Sequence, residues 1–265
     1  MAFQIIRHAF AMVFGNLGQA LRVSVGPYLL LIVAFVAVFG GLGAFSQLTN
    51  LATGQMPPDQ MIASGGSIAL GVVMLLIVTI FVAAWVAVSW HRFILLEEYS
   101  GILPAVSGRP IWPYVGRSII YGLFVGLVAL GLGLVVGVVT TVLFAMSPTI
   151  GAVGTLILGA LLGVVLSLVW FRIGVALPAV AIGKPITMRE ALNATAKING
   201  TILGIVVLIV VVSMIAGVAT AGLYGIHPAL GFAVDVVVQW VTLMVGVSIL
   251  TTLYGHVIEG RPLID

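Results

Sequence analysis

The chain has 265 residues, of which 62% are hydrophobic and only 6% charged, with 10 Lys+Arg against 7 Asp+Glu and no cysteine. Soluble domains carry roughly 25% charged residues, and no soluble fold of this length could cover so much apolar area with so little polar surface. The basic residues are too few and too scattered for a nucleic-acid footprint, so no nucleic-acid partner is expected. The missing thiols exclude disulfides, thiolate metal sites and cysteine nucleophiles.

In chain order the first segment is residues 1–22. Phe3, Ile6, Phe10, Val13, Leu17 and Leu21 recur at helical spacing, with Gln4, Arg7, His8, Gln19 and Arg22 between them. That pattern predicts an amphipathic helix lying on a membrane surface, the alternative being an N-terminal extension of the first span into one unusually long helix. It lacks the charged start, apolar core and small-residue cleavage site of a secretory signal, and reads as part of the mature protein.

Six apolar stretches long enough to cross a bilayer core follow, at about residues 26–47, 67–90, 117–145, 150–173, 201–223 and 229–255. Lipid cannot satisfy backbone polar groups, so each stretch must be a helix. The expected fold is therefore all-α, a polytopic membrane bundle of six transmembrane helices with an interfacial N-terminal helix, forming a single integral membrane domain. Prolines mark the boundaries: Pro27 is expected to precede the first span, Pro110 and Pro113 the third, Pro148 the fourth and Pro228 the sixth, while Pro178 follows the fourth. With no proline left for a span's middle, the broken helices of many secondary transporters are not expected.

Arg7, Arg22, Arg92, Arg109, Arg117, Arg172, Lys184, Arg189, Lys197 and Arg261 all fall on one side of this alternation. The connections at residues 49–66 (with Pro57, Pro58 and Asp59), 146–149 and 224–228 hold no Lys or Arg. The positive-inside rule then places both termini in the cytoplasm and requires an even number of spans.

Each span pair is a hairpin, giving three candidate repeat units at residues 1–100, 101–182 and 183–265. Trp90-His91-Arg92, Trp170-Phe171-Arg172 and Tyr254-Gly255-His256 close their second helices, although such residues also gather at any cytoplasmic membrane border. In the third unit Thr187 and Glu190 have capping-box spacing, and Asn199-Gly200 is expected to end the helix they open.

Residues 9–30, 89–97 (SWHRFILLE) and 170–204 (WFRIGVALPAVAIGKPITMREALNATAKINGTILG) carry a resemblance. Their layout resembles the multi-span membrane domain joined to some glycerophosphodiester phosphodiesterases and its stand-alone bacterial relatives. The resemblance implies repeated amphipathic segments and helical hairpins, with roles in envelope or lipid-related processes. It brings no catalytic residue, because the phosphodiesterase chemistry of such fusions belongs to a soluble domain.

Among ionisable residues only Asp235 qualifies as intramembrane, with Gln239 on the same helical face; the pair could line a polar cavity or receive a cation, or Asp235 could reach the outer headgroups or bond a neighbouring helix. Glu97 and Glu98 are adjacent and diverge, which suits an ion-paired helix end better than acid–base work. His8, His91, His227 and His256 are dispersed, and neither a metal nor any other cofactor is expected. The four Gly-x3-Gly pairs, Gly122/Gly126, Gly133/Gly137, Gly159/Gly163 and Gly200/Gly204, are no more than chance placement of 33 glycines gives. Arg172, Lys184, Arg189 and Lys197 are the candidate contacts for anionic lipid.

These features favour a non-enzymatic protein of the bacterial inner membrane. Its expected partners are membrane lipids or the protein subunits of a complex, in envelope organisation or as an accessory subunit. The alternative is a permease or transporter component. Against an ABC permease, Glu190-Ala191-Leu192 is followed by Gly200 too late for a coupling helix. Against a secondary transporter, Asp235 lies near the outer border and almost alone.

Overall fold

The computed structural model describes residues 1–52 and 58–263, and among these it is helical without strands. The helices are α1 (Ala2–Gly15), α2 (Leu17–Gly41), α3 (Phe45–Ala52), α4 (Pro58–Leu96), α5 (Ile111–Met146), α6 (Pro148–Gly174), α7 (Ala176–Ala181), α8 (Met188–Thr195), α9 (Asn199–Ile226) and α10 (Pro228–Val257). Six helical stretches are long and apolar enough to cross a membrane: α2, α4 from Gly65, α5, α6 with α7, α8 with α9, and α10. Pro57 lies outside the described residues, and Pro58 opens α4.

Packing follows the hairpins. α2 lies against α4, α5 against α6 and α9 against α10, while α1 crosses α9 and α10. α1 ends at Asn16 and is thus a separate helix; it buries Ile5, Ala9 and Val13 and leaves Phe3, Phe10 and Phe14 exposed. Of the expected apolar stripe only Val13 is buried, so α1 has two apolar sides, one on the bundle and one free for lipid.

Two of the three turns remote from the basic residues share one design. Ser147 and His227 are each a single extended residue between helices, each followed by proline at the first helical position. Three residues beyond each proline is a glycine, where a Cβ would stand 2.8 Å from the Cα of Phe144 (at Gly151) or of Tyr224 (at Gly231). The sequences Phe144-Ala-Met-Ser-Pro-Thr-Ile-Gly151 and Tyr224-Gly-Ile-His-Pro-Ala-Leu-Gly231 are thus one motif, an aromatic seated on a glycine across the turn.

Four boundary expectations are corrected, the smallest at Pro113, which lies in the first turn of α5 and not before it. Pro27 sits inside α2, which begins ten residues earlier, at Leu17. The loop after α4 packs tightly on the neighbouring Gly26, whose missing side chain leaves room for the Ile102 carbonyl. Pro178 lies within α7, which continues the fourth span after a break at Val175, and all of Val175–Ile182 is buried. Asn199-Gly200 starts α9 instead of ending α8, because the 3-10 turn Ala196–Ile198 carries the chain onward. The capping box forms as expected, with Glu190 N–H donating to Thr187 Oγ1 at 3.2 Å and Thr187 N–H to the Glu190 carboxylate at 2.6 Å.

Candidate functional site

Buried side chains concentrate at the basic end. There α4 is buried almost continuously from Val82 to His91, α10 from Val247 to Gly255, and α7 throughout. Over the 18-residue apolar windows of the α5 and α6 spans, by contrast, no residue is buried.

Buried polar groups at this end are bonded to one another. Trp90, fully buried, donates its indole N–H to Ser248 Oγ at 2.8 Å. His91, also fully buried, has Nδ1 2.8 Å from Thr251 Oγ1 and Nε2 3.2 Å from the Tyr114 hydroxyl. Thr251 gives its own proton to the Val247 carbonyl, so its oxygen accepts from Nδ1–H. The imidazole joins α4, α5 and α10 through both nitrogens. Among the described residues no buried side-chain nitrogen or oxygen lacks a partner.

Arginines complete the rim. The last-turn carbonyls of a helix have no partner within it, and lipid offers none. Arg92 donates to the Ala181 carbonyl of α7 at 3.0 Å, Arg172 to the Leu192 carbonyl of α8 at 3.0 Å, and Arg261 to the Leu95 carbonyl of α4 at 3.1 Å. With unit limits at residues 100 and 182, these bonds run from the first unit to the second, the second to the third and the third to the first: a closed circle. Arg117 adds a bond to the Ile186 carbonyl at 2.7 Å. Arg92 also grips Glu98 with two nitrogens, and Arg109 donates to the same carboxylate. The Arg92 hydrogen bonds, with the charge of Arg109, hold the Glu98 carboxyl below its ordinary pKa.

Arg92 and Arg172 of the circle are the basic residues of the aromatic-x-basic pattern, and Arg261 belongs to a second signature at the same end. Gly108-Arg109-Pro110-Ile111, Gly183-Lys184-Pro185-Ile186 and Gly260-Arg261-Pro262-Leu263 recur at near-equal spacing. All three glycines have positive φ, 72°, 77° and 68°, where a side chain would be strained. The signal was available as a glycine that must turn left before a proline. Trp90 and His91 are core residues, and in the third unit Arg261, not His256, makes the link to the next unit.

Of the candidate lipid contacts, Arg172 is turned inward, with Thr195 Oγ1 at 3.4 Å besides the Leu192 carbonyl. Lys184, Arg189 and Lys197 are exposed, and among the described residues their side chains make no hydrogen bond or ion pair; the same holds for Arg7 and Arg22. Asp235 is half-buried and Gln239 exposed, and among the described residues no hydrogen bond joins them to each other or to a neighbouring helix. Gly122, Gly126, Gly133, Gly137, Gly159 and Gly163 face open space, whereas Gly204 sits against Ala2. No cluster of three His, Asp or Glu side chains suited to a metal occurs among the described residues.

A cavity of about 550 Å³ adjoins the buried network. Ala83 and Ala87 of α4, Tyr114 and Gly122 of α5, Leu177 of α7 and Gly246 of α10 mark its walls. A smaller one of about 310 Å³ lies between α1, α9 and α10 and shares Thr242 and Gly246 with it. Such walls can hold an apolar chain, and they offer no pair of convergent acid–base groups. No family model matches this chain, and no curated protein or solved structure matches it either.

Proposed function

We propose that this is a non-enzymatic integral membrane protein of the bacterial inner membrane that works by holding anionic lipid at its basic, cytoplasmic end. The observation that carries the reading is the division of the ten cations. Arg92, Arg109, Arg117, Arg172 and Arg261 are consumed by carbonyls and Glu98, while Arg7, Arg22, Lys184, Arg189 and Lys197 point outward unpaired among the described residues. A rim of free cations where helices leave the bilayer attracts anionic headgroups.

The test is thermal unfolding of the purified protein in vesicles of phosphatidylethanolamine with and without phosphatidylglycerol. Anionic lipid is expected to raise the melting temperature of the wild type. Most of that rise should vanish when Lys184, Arg189 and Lys197 are all replaced by Gln. Equal melting of the wild type in both membranes would sink the reading.

A further inference from the structure

We infer that the larger cavity is the seat of one phospholipid acyl chain from the leaflet at the basic end, an inference that rests on the lipid-holding function proposed above. Depth is the first argument. α10 is 30 residues long, about 45 Å at 1.5 Å per residue. The cavity-lining residues Leu250 and Thr242 stand roughly 10 and 22 Å from its basic end by the same rise. A hydrocarbon core of about 30 Å centred on that helix places the cavity within one leaflet, running from near its border to near its midplane. Acyl chains are the abundant molecules at that depth.

Shape and chemistry agree. α4 contributes Ala83, Ala84 and Ala87, α5 contributes Gly122 and α10 contributes Gly246 beside larger apolar residues such as Leu123, Trp170 and Leu250, so an apolar wall is recessed at its small positions. Cβ atoms added at Gly122 or Gly246 would meet nothing within 4 Å. Removing glycine from a helix is ordinarily stabilising, so neither glycine is explained by helix packing.

Charge complementarity selects the kind of lipid. On α5, Arg117 precedes the lining residue Ser118, and it reaches the Ile186 carbonyl of the turn that exposes Lys184. Arg117 is spent on that carbonyl, so the free cation of the turn it holds is Lys184, suited to the phosphate of an anionic phospholipid.

The test counts lipids retained by the full chain after gentle extraction and reconstitution with phosphatidylglycerol, using native mass spectrometry. The wild type should hold one phosphatidylglycerol more firmly than the rest. In Gly122→Leu and Gly246→Leu the new side chain displaces about two methylenes, each worth roughly fourfold in affinity, so retention should fall about fifteenfold. The melting temperature in lipid-free detergent should hold or rise; Gly122→Ala and Gly246→Ala, which add a single carbon, supply the same measurement at smaller amplitude should a leucine variant not fold. Unchanged retention in the folded variants would overturn the cavity as the seat, while stabilisation by phosphatidylglycerol that persists would leave the rim of free cations standing. A retained molecule without phosphate would overturn the identity of the ligand. Loss of both retention and stabilisation in the wild type would overturn this inference and the reading beneath it.

Discussion

The two ends of this bundle are built by different rules. At the basic end apolar side chains pack against α7, a fully bonded histidine ties three helices together, and arginines close a circle of carbonyls. At the other end α5 and α6 touch mainly each other, and their surfaces face outward. Lipid is as apolar as leucine, so the hydrophobic effect does not draw membrane helices together. Close packing appears where polar groups demand partners, and the helices part where none do.

The sharpest way to break that contrast is at His91. His91→Leu keeps the bulk but strips the Tyr114 hydroxyl and Thr251 of their partner in a buried setting. The expected cost is about 2–4 kcal/mol, read as a fall in thermal unfolding temperature. Leu156→Ala on the exposed flank of α6, where the side chain is 60% exposed, should cost less than about 0.5 kcal/mol. Equal losses at the two sites would mean that the ends do not differ in how they are held.

A smaller effect probes the turns, which are tightly fitted at the open end. Gly151→Ala gains about 1 kcal/mol of helix propensity but drives a Cβ into the Phe144 ring and backbone, an overpacking that costs roughly 1–3 kcal/mol. Gly159→Ala, eight residues on with nothing within 4 Å, makes the same propensity gain without the clash. The two substitutions should therefore move the unfolding temperature in opposite directions. Movement in the same direction would show that the aromatic–glycine seat does not hold the hairpin.

What the sequence revealed followed the same division. Span number and the common side of all ten cations were legible because hydropathy and charge report directly on the bilayer. Proline at Pro148 and Pro228 marked true helix starts. Pro27 misled, because a helix packed at Gly26 against a loop tolerates a proline that would break an isolated one. His91 looked like one of four scattered histidines: its partners are 23 and 160 residues away, and no local pattern announces such a pairing. Arg172 read as a lipid contact because charge alone does not say whether a carbonyl lies within reach. The cavity was invisible, since Gly122 and Gly246 look the same as glycines that bring helices together.

The rim offers the smallest and most diagnostic effect. Glu98 is held ionised by Arg92 and Arg109, so its folded-state pKa lies below that of the unfolded chain. Folding then favours the carboxylate, and the stabilisation is complete above the unfolded value and disappears as pH falls through the lower folded value. The site is partly open to solvent, which screens the pair and limits the effect to less than about 1 kcal/mol. Glu98→Gln should remove this acid-side slope and leave the stability difference between the variants constant at neutral pH and above. A slope that survives the substitution would assign the acid sensitivity to another carboxylate. Its disappearance would show that Arg92, which also donates to Ala181, joins charge and backbone bonding in one contact at the end where the helices are closely packed.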